Sequence, residues 1–145
     1  MVMTLEADYA VRIVDTLARA GRRVDAKNLA AQTGVPLRFA LKILRKLVSG
    51  GLIVSFKGAR GGYALARGAD RITLRQVIES VEGPYMLSRC QQTAYCCSNT
   101  APGCRFQGIY DEISALVRKK LDSYTFAVLK DGDAADRTNA AKQDT

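Results

Sequence analysis

Histidine and tryptophan are absent from this 145-residue chain, and proline occurs only three times. The lack of histidine removes the commonest general base, proton shuttle and metal-ligating side chain together. An enzyme using a cysteine nucleophile has no imidazole to serve as its base, and no phosphate loop or cofactor fingerprint is present. No apolar run approaches the roughly 18 residues that span a bilayer. Acidic Glu6 and Asp8 stand where a signal peptide carries its basic and apolar regions. These absences lead to the expectation of a small cytoplasmic protein that is not an enzyme, binds no membrane and takes no small-molecule substrate.

What is present is basic charge, and it is one-sided. The formal net charge is +8. Residues 1–67 carry 12 Lys and Arg against the four acids Glu6, Asp8, Asp15 and Asp25, whereas the remainder is balanced with 10 of each sign. Such a field suits a polyanion, because each neutralised phosphate releases condensed counterions. Charge alone is equally compatible with a solvated basic face.

Periodicity orders the first half into helices. Leu5, Tyr9, Ile13 and Leu17, flanked by Ala10, Val14 and Ala18, predict an amphipathic helix capped by Thr4 and stopped by Gly21. Asp25 can cap a second helix over 26–33, ended by Gly34. After Val35-Pro36 a third helix is predicted over 37–49, with Phe39, Ile43, Leu44 and Leu47 as core candidates. Two short helices joined by a Gly-containing turn make a helix-turn-helix. Strands over 52–56 and 62–66, linked by Lys57-Gly58-Ala59-Arg60-Gly61, add a hairpin wing. Thr73 can cap a further helix over 74–81.

The organisation expected is mainly α: a winged helix-turn-helix DNA-binding domain (1–84), a cysteine-bearing sensor loop (85–107), a long dimerisation helix (108–130) and a disordered tail (131–145). The long helix rests on Ile109, Ile113, Leu116, Val117, Leu121, Tyr124 and Val128 at steps of three and four. Its length exceeds what a core of this size needs, which suggests packing against a twin.

In a helix-turn-helix the second helix lies in the major groove, so its opening residues meet base edges. Arg38 is the candidate for a base contact, since guanidinium can bond both acceptors of guanine, and Lys42, Arg45 and Lys46 are candidate phosphate contacts. Lys57 and Arg60 on the wing, with Lys27 and Asn28 at the start of the second helix, complete the set.

All four cysteines, Cys90, Cys96, Cys97 and Cys104, fall in one segment as C-x5-C-C-x6-C. In a chain expected in the cytoplasm this favours metal or redox chemistry over a structural disulfide set. The spacing is not that of a zinc ribbon. An iron-sulfur cluster, a thiol-disulfide switch, zinc and no such role are all open on spacing alone.

The stretches D-Y-A-V-R at 8–12, L-K-I-L-R-K-L-V-S-G-G-L-I at 41–53, G-A-R-G-G-Y-A-L-A at 58–66 and I-T-L-R-Q-V-I-E-S-V-E-G-P at 72–84, with the cysteine segment, resemble the Rrf2 family of bacterial winged helix-turn-helix regulators. The resemblance covers residues 1 to about 125. It implies a homodimeric transcription regulator on double-stranded DNA carrying a palindromic operator, responding to redox, iron-sulfur or nitric-oxide status. Cluster-binding members use three loop cysteines, to which Cys90, Cys96 and Cys104 correspond, holding a [2Fe-2S] or [4Fe-4S] cluster. The histidine that some members carry three residues after the last cysteine is replaced here by Gln107. The resemblance offers Asp8 of the opposite subunit as fourth ligand, with Cys97 the less favoured alternative because adjacent cysteines ligate one cluster only with strain. The other reading is a cluster-free regulator controlled by cysteine oxidation or by a partner protein.

Overall fold

Three short polar side chains set where three of the helices begin. Thr4, in extended backbone, accepts the Ala7 N–H at 3.2 Å and opens α1 (Leu5–Ala20). Asp25 accepts the Asn28 N–H at 2.8 Å and opens α2 (Ala26–Thr33). Thr73 and Gln76 form a reciprocal capping box at the head of α4 (Leu74–Glu82). Between α2 and α3 (Leu37–Ser49) the chain turns through Gly34 at φ 71°, a conformation that costs a side chain-bearing residue energy but glycine little. The computed structural model describes residues 2–92 and 104–127.

The core forms around α1, whose Ala7, Ala10, Ile13, Val14 and Leu17 are buried. Leu29 of α2, Ala40, Ile43, Leu44 and Leu47 of α3, and Val77, Ile78 and Val81 of α4 close over it. One expected core position lies outside: Phe39 is 53% exposed, and Leu5, the first residue of the apolar stripe predicted for α1, is 62% exposed. On α3 the buried stripe runs through Ala40 instead, one residue round the helix from Phe39. The small methyl of Ala40 lets α3 approach its neighbours, and Phe39 rests against Tyr9 with ring centroids 6.5 Å apart.

Strands β1 (Ile53–Phe56) and β2 (Gly62–Leu65) pair antiparallel from Ile53 opposite Leu65 to Phe56 opposite Gly62. Val24, in the α1–α2 link, adds an isolated antiparallel bridge to β2 by exchanging two hydrogen bonds with Tyr63, both 2.9 Å. That contact fixes the wing to the helical core. It also explains Gly62, at φ 141°, where a Cβ would sit 2.9 Å from the Val24 carbonyl oxygen.

The last helix departs from expectation. Helix α5 covers Arg105–Asp122, beginning inside the stretch expected as loop and ending well before residue 130. At about 1.5 Å per residue it is about 27 Å long. The chain then turns at Ser123, Thr125 bridges to Thr73, and Phe126 enters the core fully buried with its N–H bonded to the Ile72 carbonyl at 3.2 Å. Tyr124 is therefore not part of the helical seam, and Val128 and the expected tail lie outside the described residues. Arg75 braces the return by bonding Asp122 at 2.8 Å and pairing with Glu79 at 3.2 Å. Its guanidinium is held above its ordinary pKa, first by Asp122 and then by Glu79. The architecture is a mainly α winged helix-turn-helix.

Candidate nucleic-acid interface and cysteine site

Buried Ala40, Ile43, Leu44 and Leu47 turn the opposite side of α3 to solvent. Leu37, Arg38, Leu41, Lys42 and Arg45 share that exposed side and line one shallow depression with Phe39. Arg38 and Arg45 make no ion pair among the described residues. Lys42 stands 3.5 Å from Glu6 yet is 60% exposed.

Lys46 is placed differently. Its ammonium lies 2.7 Å from the Glu6 carboxylate and donates to the Val81 carbonyl at 3.1 Å, tying α3 to α1 and α4. The hydrogen bond from Lys46 is the main reason the Glu6 carboxyl is held below its ordinary pKa. This residue is a strut inside the domain, not a member of the exposed row.

The start of α2 is also already occupied. Asp25 caps its first turn, the Asn28 amide donates to the same carboxylate at 2.7 Å, and these bonds hold the Asp25 carboxyl below its ordinary pKa. A fixed carboxylate at that helix end opposes an incoming phosphate. Lys27 beside it is exposed.

On the wing, Lys57 and Arg60 are exposed at the five-residue loop between the strands. A residue that sequence reasoning passed over, Arg23, stacks its guanidinium on Phe56 at 3.6 Å and reaches the Arg60 carbonyl at 3.5 Å. Its partners are remote in sequence. Arg67 likewise holds the foot of the wing, donating to Gly51 and Arg71 carbonyls and to Gln76 at 2.9–3.1 Å.

The ends of the cysteine segment are ordered against α5. Ser88 caps a 3-10 turn over Arg89–Gln91, and the Cys90 thiol donates to the Ser88 hydroxyl at 3.2 Å. Cys104 is the N-cap residue of α5. The Gln107 side chain donates to the Cys90 carbonyl at 3.0 Å while its backbone N–H bonds the Cys104 carbonyl at 3.1 Å. Both half-exposed free thiols are thus brought to the same end of one helix. Cys96 and Cys97 lie outside the described residues, so the expected three-cysteine set is seen only at its two ends. Asp8, on α1, is paired with Arg12 at 2.7 Å. Among the described residues no group of three or more Cys, Asp or Glu side chains could hold a metal within one chain. No helix among them is long and apolar enough to cross a membrane.

Residues 3–132 match the family model described as Rrf2, iron-dependent transcriptional regulator. The chain is 30% identical to the protein rrf2 of Nitratidesulfovibrio vulgaris over 131 residues, 89% of this chain and 87% of that one. In fold it is similar to IscR of T. potens, with a TM-score of 0.73 at 23% identity over 93% of this chain and 90% of that one. It is also similar to CymR, the global cysteine regulator of B. subtilis, with a TM-score of 0.71 at 24% identity over 89% and 95%. A helix-turn-helix, a wing and a family match over most of the chain agree: this protein belongs to the Rrf2 family of DNA-binding transcriptional regulators, not to an enzyme family.

Proposed function

We propose that the protein is a homodimeric regulator that binds a palindromic operator through α3 and the wing and senses redox, iron-sulfur or nitric-oxide status at its cysteine segment. The exposed row Arg38, Lys42 and Arg45 on α3 carries the DNA part of this reading. Arg38 reads a guanine edge, Lys42 and Arg45 hold phosphates, and Lys57, Arg60 and Lys27 add backbone contacts. Asn28 and Lys46, engaged within the fold, contribute through α2 and α3 placement. A two-fold partner packs on the exposed Phe106, Ile109, Ile113 and Leu116 of α5, which recur at steps of three, four and three. Such a regulator works where the chromosome is, in the cytoplasm.

For the sensor, Cys90, Cys96 and Cys104 hold an iron-sulfur cluster, with Asp8 of the partner subunit or Cys97 as fourth ligand. The donor chemistry fits: two free, half-exposed cysteine side chains flank the first turn of α5, and cysteine sulfurs are the standard anchors of iron-sulfur clusters. When bound, the cluster supplies an oxidant-sensitive centre. The chain's own part is to anchor the ends of the segment, Cys90 on its capped turn and Cys104 at the helix start. A cluster-free variant of the reading, in which Cys90 and Cys104 act by oxidation or through a partner protein, is favoured by the same exposure of both thiols.

The absorption spectrum, iron and sulfide content of protein purified without oxygen separate the two sensors. A visible thiolate-to-iron band that Cys90→Ala removes supports the cluster. Colourless protein after attempted reconstitution, together with operator binding that changes on thiol oxidation, supports the cluster-free form.

A further inference from the structure

Helix α5 carries a second stripe, and it is polar. Gln107, Asp111, Ser114 and Arg118 recur at steps of four, three and four, so they share one face of the helix. Each grips the chain that leads to Cys90. Arg118 donates to the Tyr85 carbonyl at 2.8 Å. Ser114 accepts the Leu87 N–H at 3.0 Å and donates to the Gln91 side-chain oxygen at 3.1 Å. Asp111 accepts from the Gln91 amide at 2.8 Å, and Gln107 donates to the Cys90 carbonyl at 3.0 Å.

Ser114 is the one polar residue among the described residues that is fully buried, at 0% exposure. A buried hydroxyl is tolerated only when its hydrogen bonds are made, and among the described residues both bonds of the Ser114 hydroxyl run to the segment containing Cys90. The Gln91 oxygen it donates to also accepts the Ser88 N–H at 3.0 Å, and Ser88 in turn receives the Cys90 thiol. Ser114 is therefore bonded directly to Gln91, a residue of the capped turn on which the thiol sits.

We infer that Ser114 and Gln107 are positioning residues for Cys90, seating its turn on α5 independently of any bound cofactor. The seat explains why a polar glutamine at 107 is useful in a chain without histidine: its amide ties the first cysteine of the segment to the helix that the last one opens. It also places the cysteine turn on the helix whose other stripe, Phe106 to Leu116, is left exposed. The inference rests on the reading of Cys90 as a sensing thiol, and its test is independent of whether a cluster binds.

The test is residue-resolved alkylation of the full-length, reduced, metal-free protein by iodoacetamide, followed by peptide mass spectrometry. Ser114→Ala and, at an exposed position that the fold tolerates, Gln107→Leu are each expected to speed Cys90 alkylation by about tenfold, the loss of protection that one or two ordinary hydrogen bonds supply. Ser114→Thr, which keeps the hydroxyl, is expected to restore the slow rate. Cys104 serves as internal control and keeps its rate in Ser114→Ala. An unchanged Cys90 rate in Gln107→Leu and in Ser114→Ala overturns the inference. Faster Cys90 alkylation in the two variants, alongside a wild-type protein that takes up no cluster on attempted reconstitution, upholds the inference and overturns the cluster reading alone.

Discussion

The ammonium of Lys46 lies 2.7 Å from the carboxylate of Glu6, joining α3 to α1. Because Glu6 titrates below its ordinary range, its ionised form favours the folded state. That contribution is complete above the unfolded-state pKa of about 4.3 and fades as pH falls through the lower folded-state value. Wild type is therefore expected to exceed Glu6→Gln in thermal stability from pH 7 down to about pH 5, with the gap closing below about pH 4. A gap that persists undiminished at low pH contradicts the ion pair's role.

The same pair separates two lysine and arginine roles on α3. Arg45→Met is expected to lower the salt slope of DNA binding by about one phosphate contact in each subunit. Lys46→Met is expected to cost stability and leave that slope unchanged. Binding titrations at several salt concentrations read both outcomes.

Phe126 tests the return of the chain after α5. Fully buried beside the Ile72 backbone, it is expected to cost about 3–5 kcal/mol when cut to alanine. Chemical denaturation measures this. A cost below about 1 kcal/mol, typical of exposed positions, contradicts the docked placement.

The apolar stripe of α5 predicts the assembly state. Ile113→Asp combined with Leu116→Asp places charge on an exposed face that the proposed twin covers. Sedimentation is expected to show dimer for wild type and monomer for the variant, with unchanged helical content. A variant that stays dimeric moves the interface elsewhere.

Local signals were the legible ones. Thr4, Asp25 and Thr73 announce helix starts because a cap acts within three residues of itself, and Gly34 announces the turn between α2 and α3. Periodicity located α3 but misassigned Phe39, since residue size argues for burial while the tight approach of α3 needs the methyl of Ala40. The end of α5 was illegible for a different reason. Ser123 is no strong helix breaker, and the turn there is set by Phe126 finding the core and by Arg75 holding Asp122, both remote in sequence. Lys46 looked like Lys42 and Arg45 because charge is visible in sequence and its partner Glu6, 40 residues earlier, is not. Arg23 was missed likewise, as its stacking on Phe56 exists only once Val24 has docked the wing.

The most direct test of the central claim, that the exposed face of α3 reads DNA, is a binding titration of wild type and Arg38→Ala on a duplex obtained by in vitro selection with the wild-type protein. Arg38 is expected to contribute one bidentate base contact per subunit, so its loss should weaken binding by at least tenfold and relax selectivity at one base pair of each half-site, about 1–3 kcal/mol per contact. Equal affinity and equal selectivity in the two proteins contradict the account.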